Sequence, residues 1–561
     1  MPTVNITING QKITAQLGQT ILQAATAAGI DIPVLCNHPA LAAWGACRIC
    51  LVEVAKQRGL QPACTFPVSE GMEVQTESEK VVQIRKFVLE LLFSERNHYC
   101  MFCQMSGDCE LQNLAYRYGL DHWTYNRPYE KLPVDATRQY FIMDHNRCVL
   151  CRRCVRACAE IAANHTLGVR ERGAKSMIMA DHNVPFGEST CVECGTCLQV
   201  CPTGALIDRR SAYGGREKDV VRTRSTCMQC SVGCAINIVM RYKRPLRVEG
   251  VWNEAPSDGL LCVAGRFHPL YDTRTRVAMP QIRKNGRLVE ATWDEALTLT
   301  AEKLRAGGAI GLTNAATTNE ALEAFAGLFR RAKGKAGLLG PALPALGYGK
   351  PATLRNLQAS DFIIVAGADP LNDQRVVGYF IKRALDHGGR LALVEADSGL
   401  SGYANLNLSA SEMGRAVELA KGAEKPVVVY GAAVTPAIIA GLKPLAETAL
   451  FLGLEPTRNG KGAQAAGLTP LTADSGKTLF YLLGEQDISL SKNDAFTIVQ
   501  ASYRSPLVEA ADVVLPAPIW LERSGHVTNL EGQVLTVAPA AEMPAGVRDD
   551  ADVLRNLAQM V

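Results

Sequence analysis

The sequence predicts a multidomain α+β protein in which a cysteine-rich N-terminal half precedes an α/β C-terminal half. The chain has 561 residues, which suggests three or four domains at about 150 residues each. All 19 cysteines lie between Cys36 and Cys262. After Cys262, short apolar runs alternate with helical stretches, a pattern typical of a parallel sheet with helices on both faces. We therefore expect two halves that differ in both architecture and chemistry.

The composition excludes several classes of protein. Apolar residues make up 47% and charged residues 20%, and the net charge of +4 is too small to predict a nucleic-acid surface. The N-terminal segment lacks a basic region followed by an apolar run, so neither secretion nor a disulfide framework is expected. The most apolar stretch, 426–445, is interrupted by Gly431, Pro436 and Gly441, which predicts a strand, a turn and a helix rather than a membrane span. These features favour a cytoplasmic protein.

A run of four closely spaced cysteines occurs twice, and each member of the second run follows its counterpart by 43 residues. The runs are Cys148, Cys151, Cys154 and Cys158, then Cys191, Cys194, Cys197 and Cys201. Their spacing is that of the bacterial ferredoxin motif, in which the fourth cysteine binds the other cluster. We expect two 4Fe–4S clusters, one on Cys148, Cys151, Cys154 and Cys201, the other on Cys191, Cys194, Cys197 and Cys158. Structural zinc, the alternative, combines two pairs of ligands rather than runs of four.

A further set of four cysteines follows the N-terminal segment: Cys36, Cys47, Cys50 and Cys64. Val4, Ile6 and Ile8 alternate as on one face of a strand, and Asn9-Gly10 predicts a hairpin turn. Residues 20–28 predict a short helix. This order resembles the β-grasp fold of 2Fe–2S ferredoxins, although the first cysteine gap is longer than in the plant type. The resemblance implies one 2Fe–2S cluster on these four cysteines.

Between these regions a histidine precedes three cysteines: His98, Cys100, Cys103 and Cys109. An amphipathic helix comes directly before them, with apolar positions Val81, Ile84, Val88, Leu91 and Leu92. His98 supplies the fourth ligand that the three cysteines lack, whereas the other eight histidines are expected in core or surface roles. We expect a 4Fe–4S cluster whose potential the neutral imidazole raises. A three-cysteine site with a labile iron is the alternative.

The remaining cysteines form a last 4Fe–4S set: Cys227, Cys230, Cys234 and Cys262. The 19 cysteines and His98 then fill every ligand position of one 2Fe–2S and four 4Fe–4S clusters, with no cysteine left over. Four arginines flank the first ferredoxin-type run: Arg147, Arg152, Arg153 and Arg156. They either stabilise a reduced cluster and raise its potential, or form a solvated face or subunit contact.

The order of these motifs resembles the large iron–sulfur subunit of bacterial complex I, the G type of NADH-quinone oxidoreductase subunits. The stretches GDCELQNLAYRYGL, VLCRRCVRAC and CVECGTCLQVCPTGAL carry the resemblance. It implies an electron-transfer subunit of an NADH dehydrogenase module, between a flavin- and NADH-binding partner of the F/E type and a downstream acceptor subunit. The chain lacks G-x-G-x-x-G after a strand and a Walker motif, so NADH and FMN are expected on partners, with no catalytic residue here. The expected location is the cytoplasm, or the cytoplasmic face of the inner membrane through partner subunits.

One spacing favours a different partner. Only Tyr99 separates His98 from Cys100, whereas complex I subunits usually have three residues there. The H-x-C form resembles the small diaphorase subunit of NAD-reducing hydrogenases. The alternative function is therefore the diaphorase electron-transfer subunit of a soluble NAD-linked hydrogenase, formate dehydrogenase or electron-bifurcating complex. The long C-terminal domain favours complex I.

From Cys227 onward the chain resembles the molybdopterin oxidoreductase family, through CMQCSVGCAINIVMRYKRPLRVEG, SDGLLCVAGRFHPL and TWDEAL. Active members have a lysine two residues after the last cluster cysteine, where this chain has Ala264. No cysteine follows Cys262 to bind molybdenum, and the domain is short. We expect a degenerate domain without molybdenum; an active molybdenum or tungsten enzyme is the alternative.

The expected domains follow the motifs in order. They are a β-grasp 2Fe–2S domain (1–79), a His/Cys3 4Fe–4S domain (80–137), a ferredoxin-type domain with two 4Fe–4S clusters (138–219), a 4Fe–4S domain of the molybdenum/tungsten oxidoreductase type (220–276) and a degenerate molybdopterin-oxidoreductase-like α/β domain (277–561).

Overall fold

The computed structural model describes residues 2–125, 131–396, 398–473, 476–486, 488 and 494–561. The chain divides into two units, Met1–Val220 and Val221–Val561. The first unit contains the cysteines up to Cys201, and the second contains the last four cysteines and the cysteine-free part of the chain.

The first unit combines short strands with short helices. Its strands are β1 (Thr3–Ile8), β2 (Gln11–Gln16), β3 (Leu51–Val54), β4 (Gln61–Pro62), β5 (Glu73–Gln75), β6 (Val134–Asp135), β7 (Phe141–Asp144), β8 (Leu167–Arg170), β9 (Met177–Ala180) and β10 (Leu206–Asp208). Its α-helices are α1 (Ile21–Ala27), α2 (Glu79–Glu95), α3 (Glu110–Arg117), α4 (Arg153–Arg156) and α5 (Thr196–Val200). A π-helical turn, Ala157–Ile161, continues α4.

The N-terminal sheet has the order β2-β1-β5-β3-β4 and confirms the predicted β-grasp arrangement. Strands β1 and β2 pair antiparallel through a turn in which Asn9 and Gly10 both have positive φ, 51° and 82°. This is the backbone that an Asn-Gly hairpin turn requires. Ile6 and Ile8 are buried on the face that packs against α1. The Thr20 side chain caps α1 by accepting from the N–H of Gln23.

Helix α2 forms as predicted, but its buried stripe includes an arginine. Its buried positions include Val81, Arg85 and Leu89, whereas Leu91 is 41% exposed. Leu91, one of the apolar positions of the amphipathic pattern, therefore lies outside the buried stripe. An arginine occupies the centre of the buried stripe because its guanidinium donates to the backbone carbonyls of Ile49 and Leu51.

The second unit contains longer sheets. Its strands are β11 (Val221–Thr226), β12 (Ala235–Arg241), β13 (Arg244–Gly250), β14 (Gln281–Lys284), β15 (Arg287–Glu290), β16 (Ala309–Thr313), β17 (Lys335–Leu338), β18 (Lys350–Pro351), β19 (Phe362–Ala366), β20 (Arg390–Val394), β21 (Leu406–Leu408), β22 (Pro426–Tyr430), β23 (Leu450–Gly453), β24 (Thr469–Pro470), β25 (Thr478–Gly484), β26 (Phe496–Ala501), β27 (Val513–Pro516), β28 (Gly525–Thr528) and β29 (Val534–Val537). Its α-helices are α6 (Val263–Arg266), α7 (Trp293–Arg305), α8 (Asn319–Arg331), α9 (Leu354–Gln358), α10 (Arg375–Asp386), α11 (Gly414–Lys421), α12 (Pro436–Leu442), α13 (Gly460–Ala465), α14 (Pro506–Ala510) and α15 (Asp550–Met560).

Most of the strands that follow Cys262 in the second unit form two large sheets, whereas the sequence predicts a single parallel sheet. One sheet has the order β15-β14-β27-β26-β25-β16-β17-β24, with antiparallel pairing only between β14 and its two neighbours in the described residues. The other, β18-β23-β22-β19-β20-β21, is parallel throughout its described pairs. The predicted alternation of apolar strands and helical stretches after Cys262 is confirmed, for example by β19 and β20 on either side of α10. The division into sheets depends on pairing between distant strands, which local periodicity does not encode.

The apolar stretch 426–445 forms β22 and α12, separated by a turn, as predicted. Within the described residues, no helix is both long enough and apolar enough to cross a membrane.

Candidate iron–sulfur sites

The first cysteine set lies in loops around β3 and β4. The N–H of Cys36 donates to Sγ of Cys47, and the N–H of Cys47 donates to Sγ of Cys36, each at 3.4 Å. Chiefly the hydrogen bond from Cys47 lowers the pKa of Cys36 to about 5. Backbone N–H donors stabilise a thiolate and tune the potential of an iron–sulfur cluster. Cys36 and Cys47 are therefore held as one half of a thiolate site.

Cys50 and Cys64 form the other half. Their side chains hydrogen-bond to each other, and this bond together with burial raises the pKa of Cys50. Cys36 and Cys47 also act electrostatically on this pair. Four thiols this close, three of them buried, cannot all ionise without a cation, since metal binding is what releases the remaining protons. The four residues fit an iron–sulfur cluster.

The second set consists of His98, Cys100, Cys103 and Cys109. All four line one small cavity, together with Phe93, Gln112 and Gly204. Nε2 of His98 is buried and has no hydrogen-bond partner. Burial lowers the pKa of His98 to about 4, opposed by a hydrogen bond to the backbone of Leu92. A neutral imidazole held by one nitrogen, with the other left unpaired, is the usual state of a metal-binding histidine.

Gly204 lies directly against this site. A Cβ on Gly204 would lie 2.5 Å from Sγ of Cys103, closer than Cβ atoms come to the atoms of other residues. Sequence reasoning read this glycine only as part of the CPTGAL stretch. The structure gives it a separate role, because the Cys103 thiol occupies the space that a side chain would take.

The two ferredoxin-type loops repeat each other at the level of the backbone. Leu150 and Arg152 have φ of 52° and 56°, and the corresponding Glu193 and Gly195 have φ of 54° and 68°. The N–H of Leu150 donates to Sγ of Cys148, and that of Glu193 donates to Sγ of Cys191, both at 3.4 Å. Left-handed non-glycine residues are uncommon and cluster at functional sites. Here they turn each loop so that its thiols face inward.

The fourth cysteine of each ferredoxin-type run acts electrostatically on thiols of the other run. Cys201 acts electrostatically on Cys148 and Cys151, and Cys158 acts on Cys191 and Cys197. Burial, followed by the charge of Cys194, raises the pKa of Cys191 to about 12. Within the described part of the chain, no three His, Cys, Asp or Glu side chains are arranged to hold a single metal ion.

The arginines around α4 are largely buried. Arg153 is 3% exposed and donates to both carboxylate oxygens of Glu110, at 2.7 and 2.8 Å. Arg156 is 7% exposed and donates to the carbonyls of Cys36 and Ala42. A solvated face is therefore wrong for these two residues.

The last cysteine set lies in the second unit, around the start of β12 and of α6. The N–H of Cys227 donates to the carbonyl of Cys234 at 2.9 Å, and Cys262 immediately precedes α6. A Cβ on Gly265 would lie 3.0 Å from Sγ of Cys227. Burial, followed by the charge of Cys262, raises the pKa of Cys227 to about 12, and the charges of Cys227, Cys230 and Cys262 help raise that of Cys234. These thiols also fit a cluster.

A cleft of about 670 Å³ adjoins this last set, lined in part by Cys230. It opens where the strand order reverses in the two largest sheets, between β16 and β25 and between β19 and β22. Asn314, Gly367, Gly431 and Gln486, which follow these four strands, line it. Ligands of open α/β sheets bind at such reversals, beyond the carboxyl ends of the strands. The second unit thus keeps a cleft of ligand-binding size.

The charges that line the cleft do not suit a phosphate-bearing pterin cofactor. The lining carboxylates are Asp369, Asp373, Glu395 and Glu455. Among the described residues that line the cleft, Arg458 is the single cation, and burial lowers its pKa. Ala264, on α6, offers no charge where active molybdenum enzymes have a lysine. Asp369 follows β19 and Glu395 follows β20, so the runs DFIIVAGADP and RLALVEAD carried a signal that sequence reasoning did not use.

Comparison with protein-family models assigns successive parts of the chain. The matches are a 2Fe-2S iron-sulfur cluster binding domain (1–79), the NADH-ubiquinone oxidoreductase-G iron-sulfur binding region (85–123), the ferredoxin-like domain of NADH-quinone oxidoreductase subunit 3 (140–207), the molybdopterin oxidoreductase Fe4S4 domain (221–271) and molybdopterin oxidoreductase (276–450 and 397–560).

The NADH-quinone oxidoreductase subunit 3 of Thermus thermophilus is 28% identical, over 96% of this chain and 80% of that protein. The chain belongs to the G/3 family of NADH-quinone oxidoreductase subunits. The NADPH-Fe(3+) oxidoreductase subunit alpha of Geobacter sulfurreducens is 31% identical to this G/3-family protein, over 72% of this chain and 50% of that one. A crystal structure of an NAD+-reducing NiFe-hydrogenase in the H2-reduced state matches 38% of this chain and 90% of that chain, with 35% identity and a TM-score of 0.36.

Family membership confirms the predicted resemblance and the fold class. As a member of the G/3 family, the chain carries 2Fe–2S and 4Fe–4S binding domains followed by a molybdopterin-oxidoreductase-like domain, in the predicted order. The individual ligands of each cluster remain proposals.

Proposed function

We propose that the chain is the iron–sulfur electron-transfer subunit of an NADH dehydrogenase module of the complex I type. The observation that carries the proposal is the grouping of the thiols. The proposed His98 set lines one cavity, and thiols of the other proposed sets act electrostatically on one another, including Cys201 on the first ferredoxin-type run and Cys158 on the second. A chain that buries so many thiols in separate groups is suited to hold several redox centres.

The proposed ligands form five sets. They are Cys36, Cys47, Cys50 and Cys64 for one 2Fe–2S cluster, and His98, Cys100, Cys103 and Cys109; Cys148, Cys151, Cys154 and Cys201; Cys191, Cys194, Cys197 and Cys158; and Cys227, Cys230, Cys234 and Cys262 for four 4Fe–4S clusters. Bound clusters of these types supply one-electron transfer without bond formation. The chain's own residues bury the thiols, exclude water and direct N–H groups at sulfur.

The proposed electron donor is a flavin- and NADH-binding partner of the F/E type, and the proposed acceptor is a downstream subunit of a quinone-reducing complex. NADH and FMN would bind to the partner. The similarity to the Thermus thermophilus relative, which is named an NADH-quinone oxidoreductase subunit, supports this assignment. The proposed location is the cytoplasm, or the cytoplasmic face of the inner membrane through those partners.

Anaerobic purification followed by iron and acid-labile sulfide analysis tests the proposal. We expect about 18 iron atoms and a similar amount of sulfide per chain. EPR of the reduced protein should show one 2Fe–2S signal and several 4Fe–4S signals. NADH should reduce the clusters only when the flavin-bearing partner is present. Stoichiometric zinc without sulfide would contradict the proposal.

A second candidate is the diaphorase electron-transfer subunit of a soluble NAD-linked hydrogenase, formate dehydrogenase or electron-bifurcating complex. The single residue between His98 and Cys100 favours it. The similarity to a relative named NADPH-Fe(3+) oxidoreductase subunit alpha also supports it. Proteins that co-purify with the tagged chain decide between the two, since membrane pump subunits point to complex I and a hydrogenase or formate enzyme to the alternative.

A further inference from the structure

Two arginines on either side of Cys154 reach into different cluster loops. Both lie on α4, and both are buried, at 3% and 7% exposure for Arg153 and Arg156. Neither sequence interpretation of these arginines assigned them separate roles. Their hydrogen-bond partners show that they differ in one decisive respect, which is whether a carboxylate neutralises the charge.

Arg153 is neutralised. Its guanidinium makes a bidentate ion pair with Glu110, the first residue of α3 after Cys109. It also donates to the carbonyl of Val200, next to Cys201, at 3.4 Å. Arg153 therefore ties the His98 loop to the ferredoxin-type loops while adding little net charge.

Arg156 is not neutralised. It donates to the carbonyls of Cys36 and Ala42, in the loop of the first cysteine set, and lies beside the ring of Trp44, 6.0 Å from its centroid. No carboxylate in the described residues pairs with it. The carboxylate of Glu160 instead accepts from the N–H of Ala42, at 2.8 Å, in the same loop. A buried guanidinium keeps its proton, so a fixed positive charge lies against this loop.

We propose that Arg156 is a positioning residue that fixes the first cysteine loop against α4 and makes the cluster held by Cys36, Cys47, Cys50 and Cys64 easier to reduce. The inference rests on the proposed function, because it requires that cluster. One electron enters the centre and no proton follows it, so the added negative charge is stabilised by a charge already present. In the low-dielectric interior this attraction is weakly screened. Its effect does not depend on pH, because arginine does not titrate in the working range.

Redox titration of the full-length protein, monitored by the 2Fe–2S EPR signal, tests the inference. Arg156→Gln should shift the reduction equilibrium about tenfold toward the oxidised form, which is about 59 mV for one electron. The shift should be the same at pH 6.5 and 8.5. Arg156→Lys keeps the charge and should stay within about threefold of the wild type. Arg172→Gln removes an exposed arginine of the same unit and serves as the matched control.

Glu160→Gln provides an independent variant with the opposite sign. Glutamine can still accept from the N–H of Ala42, so the loop should stay in place while a negative charge is lost. We expect the equilibrium to move about twofold toward the reduced form, a small effect because Glu160 is exposed. This variant keeps the inference testable if Arg156→Gln fails to assemble the cluster.

The possible outcomes separate the two proposals. An unchanged equilibrium in Arg156→Gln, with the 2Fe–2S signal at wild-type intensity, overturns the role of Arg156 and leaves the proposed function intact. An unchanged reduction equilibrium of the 2Fe–2S cluster in Glu160→Gln overturns the electrostatic role of Arg156 as well. Absence of a 2Fe–2S signal from the wild type, or its persistence when Cys36 is replaced by alanine, which has no donor atom, overturns the proposed ligand set itself.

Discussion

At the scale of single residues, Arg85 is the clearest departure from what the sequence suggests. It sits at a core position of α2 and is 0% exposed. Its guanidinium donates to the carbonyls of Ile49 and Leu51, on either side of Cys50, at 3.0 and 2.9 Å, and to the hydroxyl of Tyr118 at 2.8 Å. Hydropathy assigns an arginine to the surface, so only the position of its partners reveals this role.

Replacing Arg85 by methionine should destabilise the first unit. The side chain has similar length, but the carbonyls of Ile49 and Leu51, the Tyr118 hydroxyl and the Glu77 carboxylate would lose this donor. We expect a loss of about 3 kcal/mol, measured as a lower urea concentration at which half of the 2Fe–2S signal disappears. Arg58→Met, at an exposed position, is the control. Equal midpoints for the two variants would show that Arg85 does not stabilise the Cys50 loop.

His98 is a candidate ligand that a count of the cysteines predicts. The sequence singled it out because three cysteines lacked a fourth ligand, and no pattern of hydropathy was needed. The structure adds that its Nε2 is buried without a partner in the same cavity as those cysteines. Its ligation of a cluster stays a prediction.

At the scale of structural elements, the duplicated cysteine loops were the most predictable feature. A repeat of 43 residues in the sequence becomes a repeat of positive φ angles and of N–H to sulfur hydrogen bonds. Local spacing suffices here because each loop is short and its thiols constrain its path. Helix α2 was less predictable, since its existence follows from periodicity but its inward face depends on what packs against it.

The approach of Gly204 to Cys103 also belongs to this scale, because it joins the ferredoxin-type region to the His98 loop. In Gly204→Ala the added Cβ would lie 2.5 Å from Sγ of Cys103 and should displace that thiol. We expect about four fewer iron atoms per chain and loss of one 4Fe–4S signal, with the 2Fe–2S signal retained.

Gly59→Ala is the matched control, because nothing lies within 4 Å of the added Cβ. It should retain the full iron content. A Gly204→Ala protein with wild-type iron content and an unchanged set of EPR signals would contradict the proposed position of this cluster.

At the scale of the whole molecule, the second unit retains the cleft that two strand-order reversals create, yet lines it with carboxylates. A cofactor with phosphate groups would meet repulsion from Asp369, Asp373 and Glu395. The cleft therefore accounts physically for the expectation that this half keeps the fold of molybdenum enzymes without their chemistry.

Metal analysis tests this expectation. Protein produced in cells that make the pterin cofactor and are supplied with molybdate should contain molybdenum far below one atom per chain, alongside its full iron content. The electrostatic reason is the repulsion of phosphate by the acidic lining. A known molybdenum enzyme purified from the same culture serves as the positive control. Stoichiometric molybdenum in the chain would overturn the expectation.

Cysteine spacing predicts the cluster chemistry of this protein without a structure, because spacing is a local property that folding must respect. The sequence predicted the domain types, the crossing of the ferredoxin-type ligands and the family resemblance from motifs such as CVECGTCLQVCPTGAL. The pairing of strands into sheets, the burial of Arg85 and the contact of Arg156 with the first cysteine loop are seen in the folded chain alone. Those facts depend on contacts between residues far apart in the chain, and an isolated sequence carries no distance information of that kind.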